Sequence, residues 1–332
     1  MMNVLGIETS CDETSAAMVA GGRKILSNIV ASQADLHARW GGVVPEVASR
    51  KHVEQVLPVV EEALFAAGVT YADIEGIAVT NRPGLVGALL VGVSAAKALS
   101  FLLRKPIVGV HHLEGHLFSG FLADPHLEYP FVALIVSGGH TALYAAHSDK
   151  RRELLGSTRD DAAGECFDKC ARLLGLPYPG GPNLEKLAVG GDPKLVSFPR
   201  AWLGDSLGFS FSGLKTAVRR FMETDQGKTG LDSVAASLQA AIVDVLVGKA
   251  VRAAETKSLT SIVVAGGVSA NLRLRDAMND KCFAKGIKLV VPPSVLCTDN
   301  AAMIAAAGAT RLMRGESDDI SFDTFAASEL ET

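Results

Sequence analysis

The sequence predicts an α/β protein built from two similar halves, and three observations carry that prediction. An apolar strand, a polar turn and a second strand occur twice, as VLGIETSCDETSAAMV at residues 4–19 and FVALIVSGGHTALYAA at residues 131–146. A strand feeding a glycine loop and a helix also occurs twice, as AVTNRPG from Ala78 and SIVVAGGVSAN from Ser261. The hairpins match at an offset of 130, Gly6 to Val136, and the glycine loops at 186, Ala78 to Val264. The growth in offset predicts an insertion in the second half within about residues 156–231, with halves at 1–125 and 126–332.

Composition supports a large folded core and little else. The chain has 332 residues, 48% of them hydrophobic, and a mean hydropathy of +0.26. Net charge is −4 and pI is near 6.1, so no global field attracts nucleic acid or an anionic membrane; any RNA contact needs a local basic patch or a basic partner. Asp12 and Glu13 interrupt the N-terminal apolar run before it reaches signal-peptide length. Gly84 to Leu103 is long enough for a membrane span, but its glycines, alanines and Lys97 point to a packed core helix, and no membrane association is expected. Five cysteines without a C-x-x-C pair fit reduced thiols in a cytoplasmic protein.

Taken in order, VLGIE and SAAMV read as strands flanking TSCDET, a turn that offers hydroxyls, backbone N–H groups and the carboxylates of Glu8, Asp12 and Glu13. After a Gly-Gly break, Pro45 opens an amphipathic helix, in which Arg50, Lys51 and His52 read as a solvated basic cluster. The strand EGIAVT, the loop NRPGLVG and a small-residue helix ending near Leu103 form a parallel crossover unit, followed by the strand KPIVGV.

That strand delivers His112 and His116, which at helical spacing share one face and form a two-point clamp for a divalent metal. Leu113 occupies the place of the glutamate in the metalloprotease pattern H-E-x-x-H. In the second half, IKLVVPPSVLCTDNAAMIAAAGA repeats the strand and helix, and the 186-residue offset brings Asp299 to within a residue of His112. Two histidines and one carboxylate suit a three-ligand site with open positions for Fe(II) or Zn(II), formed as the two halves face each other. The competing reading makes the histidines solvated, or core residues with a satisfied hydrogen bond, and Asp299 a helix N-cap. The turns VSGGHT and VAGGVSAN let backbone approach a phosphate, and neither is a Walker loop; plain turns are the alternative. Asp160 to Leu176, YPGGPNLEKLA and FSFSGLKTAVRRF read as helices grafted around a ligand, and the acidic tail after Glu316 as loosely docked.

Ten motifs in order, GIETSCDET, GGVVPEVASR, RPGLVGALLVG, HHLEGH, VSGGHT, AGECFDK, YPGGP, FSFSGLKT, GGVSAN and CTDNAAM, resemble those of the tRNA adenosine threonylcarbamoyltransferases, a family once labelled O-sialoglycoprotein endopeptidases. The resemblance spans residues 3 to about 312, and GGVVPEVASR looks like the bacterial or organellar branch. It implies the duplicated actin-like (ribonuclease H-like) fold of sugar kinases and Hsp70, with a nucleotide and metal cleft between the domains. It also implies transfer of threonylcarbamoyl from threonylcarbamoyl adenylate to the exocyclic amine of the adenosine 3′ of the anticodon in tRNAs reading ANN codons.

Carried over by motif, His112, His116 and Asp299 hold one divalent metal per subunit, Fe(II) by preference or Zn(II). Ile135, Val136, Ser137, Gly138, Gly139, Asp168, Gly181, Glu185 and Asn271 hold the adenylate, and Asp12 and Glu13 are needed for activity. The implied partners are tRNA, a paralogous subunit, a small ATPase subunit and a separate synthase for the donor. Three rival readings are a phosphoryl-transfer enzyme of the same superfold, the metalloendopeptidase of the old label, and a non-catalytic assembly scaffold. Arg219, Arg220, Arg273 and Arg275 are candidates for RNA contact, with exposed helix faces as the alternative.

Overall fold

The structure, a computed structural model, describes residues 1–224, 230–328 and 330. The chain divides into two compact units, Met1–Leu127 with Thr298–Glu331, and Glu128–Cys297. In the first lie β1 (Asn3–Glu8), β2 (Glu13–Ala20), β3 (Lys24–Ser32), α1 (Ala34–Ala38), α2 (Pro45–Ala67), β4 (Gly76–Arg82), α3 (Val86–Leu103), β5 (Ile107–His111) and α4 (His112–Ala123). In the second lie β6 (Phe131–Val136), β7 (Thr141–Ala146), β8 (Arg152–Ser157), α5 (Ala163–Leu173), α6 (Gly180–Leu187), α7 (Ser212–Met222), α8 (Leu231–Lys257), β9 (Ser261–Ala265), α9 (Leu272–Lys285) and β10 (Lys288–Val290). The last helix, α10 (Ala301–Met313), returns to the first unit.

The two sheets share one plan. The first runs β3-β2-β1-β4-β5 and the second β8-β7-β6-β9-β10, each with an antiparallel three-strand meander and two parallel strands. The third meander strands, β3 and β8, extend the hairpins read from the sequence. β1 and β6 end at Glu8 and Val136, and β2 and β7 start at Glu13 and Thr141, so the hairpins match at an offset of 128. The expected 130 was two residues too long. A slip of two leaves every side chain on its proper face, and apolar alternation cannot register it.

The inserted stretch holds α5, α6 and α7, as the offset implied. α8 runs through the core of the second unit with 18 of its 27 residues buried. It and α3 are long and apolar enough to cross a membrane. α3 buries Ala88, Leu89, Gly92, Val93 and Ala96 and packs on β4 and α2.

The main departure concerns the C-terminal segment. The sequence reading put everything after residue 126 in the second half, whereas α10 packs on β1, β4 and α4 of the first unit. Apart from Thr310 and Arg311, which are partly buried, and exposed Met313, α10 is buried on every side, so no polar stripe in the sequence announced which sheet it covers. Its close approach depends on Gly6, where an added Cβ would stand 2.3 Å from Ala301 O and 2.9 Å from Ala305 Cβ. Gly6→Val is therefore expected to cost about 1–3 kcal/mol of stability by overpacking and to displace the start of α10. Urea denaturation and metal titration of the variant check both effects.

The tail is also more firmly placed than expected. Asp318 Oδ2 accepts from Gly109 N at 2.8 Å, Phe325 N donates to Asn81 O at 3.0 Å, and Lys97 lies 4.6 Å from the Phe322 ring centroid.

Candidate active site

His112 opens α4 and His116 follows one turn later, as the spacing required. Their rings meet edge to face with centroids 4.7 Å apart. Asp299 completes the group from the segment before α10: its Oδ1 lies 3.4 Å from His112 Nε2 and 3.3 Å from His116 Nε2. Convergence thus occurs inside the first unit, because α10 packs beside α4. Counting from the helix caps, His111 matches Asn300, so Asp299 stands two residues ahead of the position the duplication implied.

Local capping decides between the two readings of Asp299. Asn300 is the N-cap of α10, its Oδ1 accepting from Met303 N at 3.1 Å, which leaves the Asp299 carboxylate to the histidines. His111 plays the same part for α4: Nδ1 accepts from Leu113 N at 3.2 Å and Nε2 donates to Ser328 O at 3.2 Å.

Behind His112 stands Glu8, wholly buried at the end of β1. Its Oε2 accepts from His112 Nδ1 at 3.1 Å and from Thr80 Oγ1 at 2.6 Å, and its Oε1 from Ser10 N at 2.5 Å. Three donors hold the carboxylate ionised; burial raises its pKa, but the positive charge and hydrogen bond of His112 outweigh burial and leave it below its usual value. The contact fixes the proton of a neutral His112 on Nδ1 and turns Nε2 towards Asp299. The sequence reading noted Glu8 as a carboxylate in the turn but missed this supporting role.

His116 differs from His112. It is 0% exposed; Nδ1 has no polar partner, and Nε2 meets only Asp299 Oδ1, at 3.3 Å and outside hydrogen-bond geometry. Burial pushes its pKa down, so it stays neutral. A neutral, buried, unbonded imidazole beside an ionised carboxylate has the donor set of a metal ligand, and one ligand atom each from His112, His116 and Asp299 lie within 4.8 Å of one another. The residues fit a divalent metal ion. Burial opposes ionisation of Asp299, yet His112 and His116 together hold its carboxyl well below the usual range. Burial likewise opposes protonation of His112, but Asp299 and Glu8 raise its pKa well above 6.5 when no cation is bound.

Asp12 ends the turn between β1 and β2 and Glu13 opens β2, close enough to Asp299 to feel its charge. Burial, the Asp299 charge and Asp12 push Glu13 up to about 10, and a hydrogen bond links it to Asp12. Its Oε1 also accepts from Ser32 Oγ at 3.3 Å. Burial and the same acid groups push the Cys11 thiol upward. In the basic cluster exposed Arg50 pairs with Glu46 and partly buried Lys51 with Glu54, but His52 is fully buried.

The residues carried over for the adenylate form a second group within the second unit. Ile135 and Val136 end β6, and Ser137, Gly138 and Gly139 make the turn, with open space where Cβ atoms of the two glycines would stand. Gly164 N donates to Ser137 O at 3.2 Å, joining the turn to α5. Gly266, at φ +95°, lies so close to the strand end that a Cβ would be 2.3 Å from Val136 O. Asp168 Oδ1 accepts from Gly180 N at 2.7 Å and Gly181 N at 3.2 Å, capping α6. Glu185 Oε1 accepts from Leu272 N at 2.6 Å, and Asn271 caps α9 through Leu274 N at 3.0 Å. Asn271 Nδ2 donates to Gln239 Oε1 at 2.9 Å, a partner on α8 that no motif pointed to. Arg275 braces Ser269 O and Pro292 O, each at 2.7 Å, so its role is internal.

Comparison with known proteins agrees with this geometry. The sequence profile of TsaD, tRNA N6-adenosine threonylcarbamoyltransferase, matches residues 24–306. The tRNA N6-adenosine threonylcarbamoyltransferase of Symbiobacterium thermophilum is 57% identical over 92% of this chain and 90% of its own length. That of Syntrophobacter fumaroxidans is 56% identical over 92% and 93%. Among solved structures, component A of (R)-2-hydroxyglutaryl-CoA dehydratase from Acidaminococcus fermentans has a TM-score of 0.57 at 14% identity, covering 94% of this chain and 100% of that one. Full-length HypF, in a phosphate- and nucleotide-bound form, has a TM-score of 0.62 at 14% identity, covering 95% and 47%. These two share the duplicated actin-like fold alone. With the ten motifs, the His-His-Asp group and a profile match over most of its length, the chain belongs to the tRNA N6-adenosine threonylcarbamoyltransferases.

Proposed function

We propose that this transferase takes threonylcarbamoyl from threonylcarbamoyl adenylate, passes it to the exocyclic amine of the adenosine 3′ of the anticodon in tRNAs reading ANN codons, and releases AMP. The observation that carries the reading is the buried, unbonded His116 beside His112 and Asp299. A divalent ion held there, Fe(II) by preference or Zn(II), supplies electrophilic polarisation of the acyl carbonyl. The second unit binds the adenylate through the Ser137–Gly139 turn, where Gly138 and Gly139 leave backbone N–H groups open to phosphate, and through Asp168, Gly181, Glu185 and Asn271.

The donor is a mixed anhydride and needs no enzyme nucleophile. As the amine nitrogen bonds to the carbonyl carbon, the bond from that carbon to the phosphate oxygen breaks and AMP leaves. Asp12 and Glu13 receive the proton lost by the amine. In the metal-free protein burial, and after it the charges of Asp299 and Asp12, give Glu13 a strong proton affinity; a cation held by His112, His116 and Asp299 would offset the Asp299 part of that effect. The reading includes work in the cytoplasm, away from membranes, with tRNA, a paralogous subunit and a small ATPase subunit.

Transfer of labelled threonylcarbamoyl from its adenylate to unmodified tRNA, with the partner subunits and metal supplied, tests the proposal. Wild-type protein is expected to label tRNA and release AMP in equal amounts, and Asp299→Ala to do neither. Phosphoryl transfer from ATP without labelled tRNA would support a kinase of the same fold instead.

A further inference from the structure

Behind the turn that carries Asp12 and Glu13 lies a buried polar chain that no motif assigned. His52 and His37 are 0% exposed and Gln33 is 2% exposed. His52 Nε2 lies 2.9 Å from Cys11 O, which can only accept, so Nε2 carries the proton. His52 Nδ1 then accepts from Thr14 Oγ1 at 2.8 Å, sharing that hydroxyl's single proton with Gln55 Oε1 at 3.2 Å, and Gln33 Nε2 is a second donor at 3.5 Å. One imidazole therefore holds the residue before Asp12 and the residue after Glu13. Gln33 N donates to the carbonyl between them, Asp12 O, at 2.9 Å.

The chain continues with the same consistency. Gln33 Oε1 accepts from His37 Nε2 at 3.3 Å, and His37 Nδ1 accepts from Val44 N at 3.3 Å. Every donor meets an acceptor when both rings are neutral, and burial lowers the His52 pKa in keeping with that assignment.

We propose that His52, held in place by Gln33 and His37, is the positioning residue that fixes the backbone of the Cys11–Thr14 turn and so aims Asp12 and Glu13. The inference rests on the reading that these two carboxylates serve the transfer. His52 touches neither donor nor acceptor; it acts through the turn. Displacing a reacting group by about an ångström lowers rate by up to about 100-fold, whereas the adenylate residues and the metal ligands lie outside its contacts.

The test measures transfer kinetics, bound metal and thermal unfolding for His52→Phe, His52→Gln, Thr14→Val, Asp12→Asn and Glu13→Gln. His52→Phe keeps volume and removes both polar groups; His52→Gln retains one donor and one acceptor at similar separation. A kcat about 10- to 100-fold lower in His52→Phe, with donor KM and metal content unchanged and kcat restored to within about threefold by His52→Gln, is the expected result. If His52→Phe does not fold, a smaller kcat loss in Thr14→Val, again at unchanged KM, takes its place. Wild-type transfer by His52→Phe or by a folded Thr14→Val, with Asp12→Asn inactive, would overturn the positioning role and leave the carboxylate reading standing. Wild-type transfer by both Asp12→Asn and Glu13→Gln would overturn the carboxylate reading and the proposal together. Equal losses in His52→Phe and His52→Gln, or loss of metal in either, would also overturn it.

Discussion

Metal-free His116→Leu protein is expected to be at least as stable as metal-free wild type, yet inert in transfer at every metal concentration. The physical reason is the state of His116, buried with two nitrogens that make no hydrogen bond. Desolvating an unsatisfied polar group costs about 1–3 kcal/mol, and a leucine of similar volume avoids it. Asp299 loses one neighbour in the exchange but keeps His112, so the net gain is expected to lie between zero and about 2 kcal/mol.

Metal reverses the ranking. At about 100 times its Kd, a bound ion adds about 2.7 kcal/mol to wild type and nothing to the variant. On the proposed reading, losing the polarisation of the acyl carbonyl is expected to lower transfer by about three orders of magnitude. Thermal unfolding with and without metal, beside elemental analysis and the transfer assay, reads all three effects. A metal-free variant much less stable than wild type would show that His116 serves packing instead.

Glu8→Gln is expected to weaken metal binding by about 10- to 100-fold, the usual consequence of losing a carboxylate behind a ligating imidazole. It should also change how metal-free stability depends on pH. Glu8 has a folded pKa below its unfolded 4.5, so its contribution is complete above that value and is lost as pH falls through the lower folded pKa. His112 has a folded pKa well above 6.5; its contribution is complete below 6.5 and is lost as pH rises through the raised value. The pair therefore stabilises the metal-free protein most between about pH 4.5 and 6.5, with a decline on the alkaline side.

In Glu8→Gln the alkaline decline becomes shallower, because Asp299 alone then raises His112. Metal binding to wild type runs the other way, growing tighter with pH as His112 gives up its proton. Urea denaturation across pH, with and without metal, reads both slopes. Equal slopes in wild type and Glu8→Gln would remove Glu8 from the ligand's support.

Much of this site was legible because helical periodicity is rigid. The four-residue spacing of His112 and His116 fixes a shared face whatever the rest of the chain does. Asp299 was found by internal symmetry, although the symmetry misled about the route: it suggested convergence between halves, and α10 instead crosses to the first sheet. An all-apolar helix carries no stripe to declare its neighbour, so that crossing was not legible. Nor was the burial of His52, whose neighbours Arg50 and Lys51 are solvated; one residue's turn on a helix separates surface from core. Glu8 was hidden by its setting at a strand end, where the role of a carboxylate depends on which ring lies behind it.

The crossing of α10 also sets an order of assembly. Residues 128–297 form one compact unit inserted within the other, so the inner unit can be complete while the outer one still lacks a helix. The triad cannot exist until Asp299 has left the ribosome, well after both histidines. A nascent chain therefore lacks the His112–His116–Asp299 group until that point, and a product terminated before residue 298 carries the residues proposed for the adenylate without the complete triad. Any metal that the triad holds can thus be bound only after Asp299 has been made.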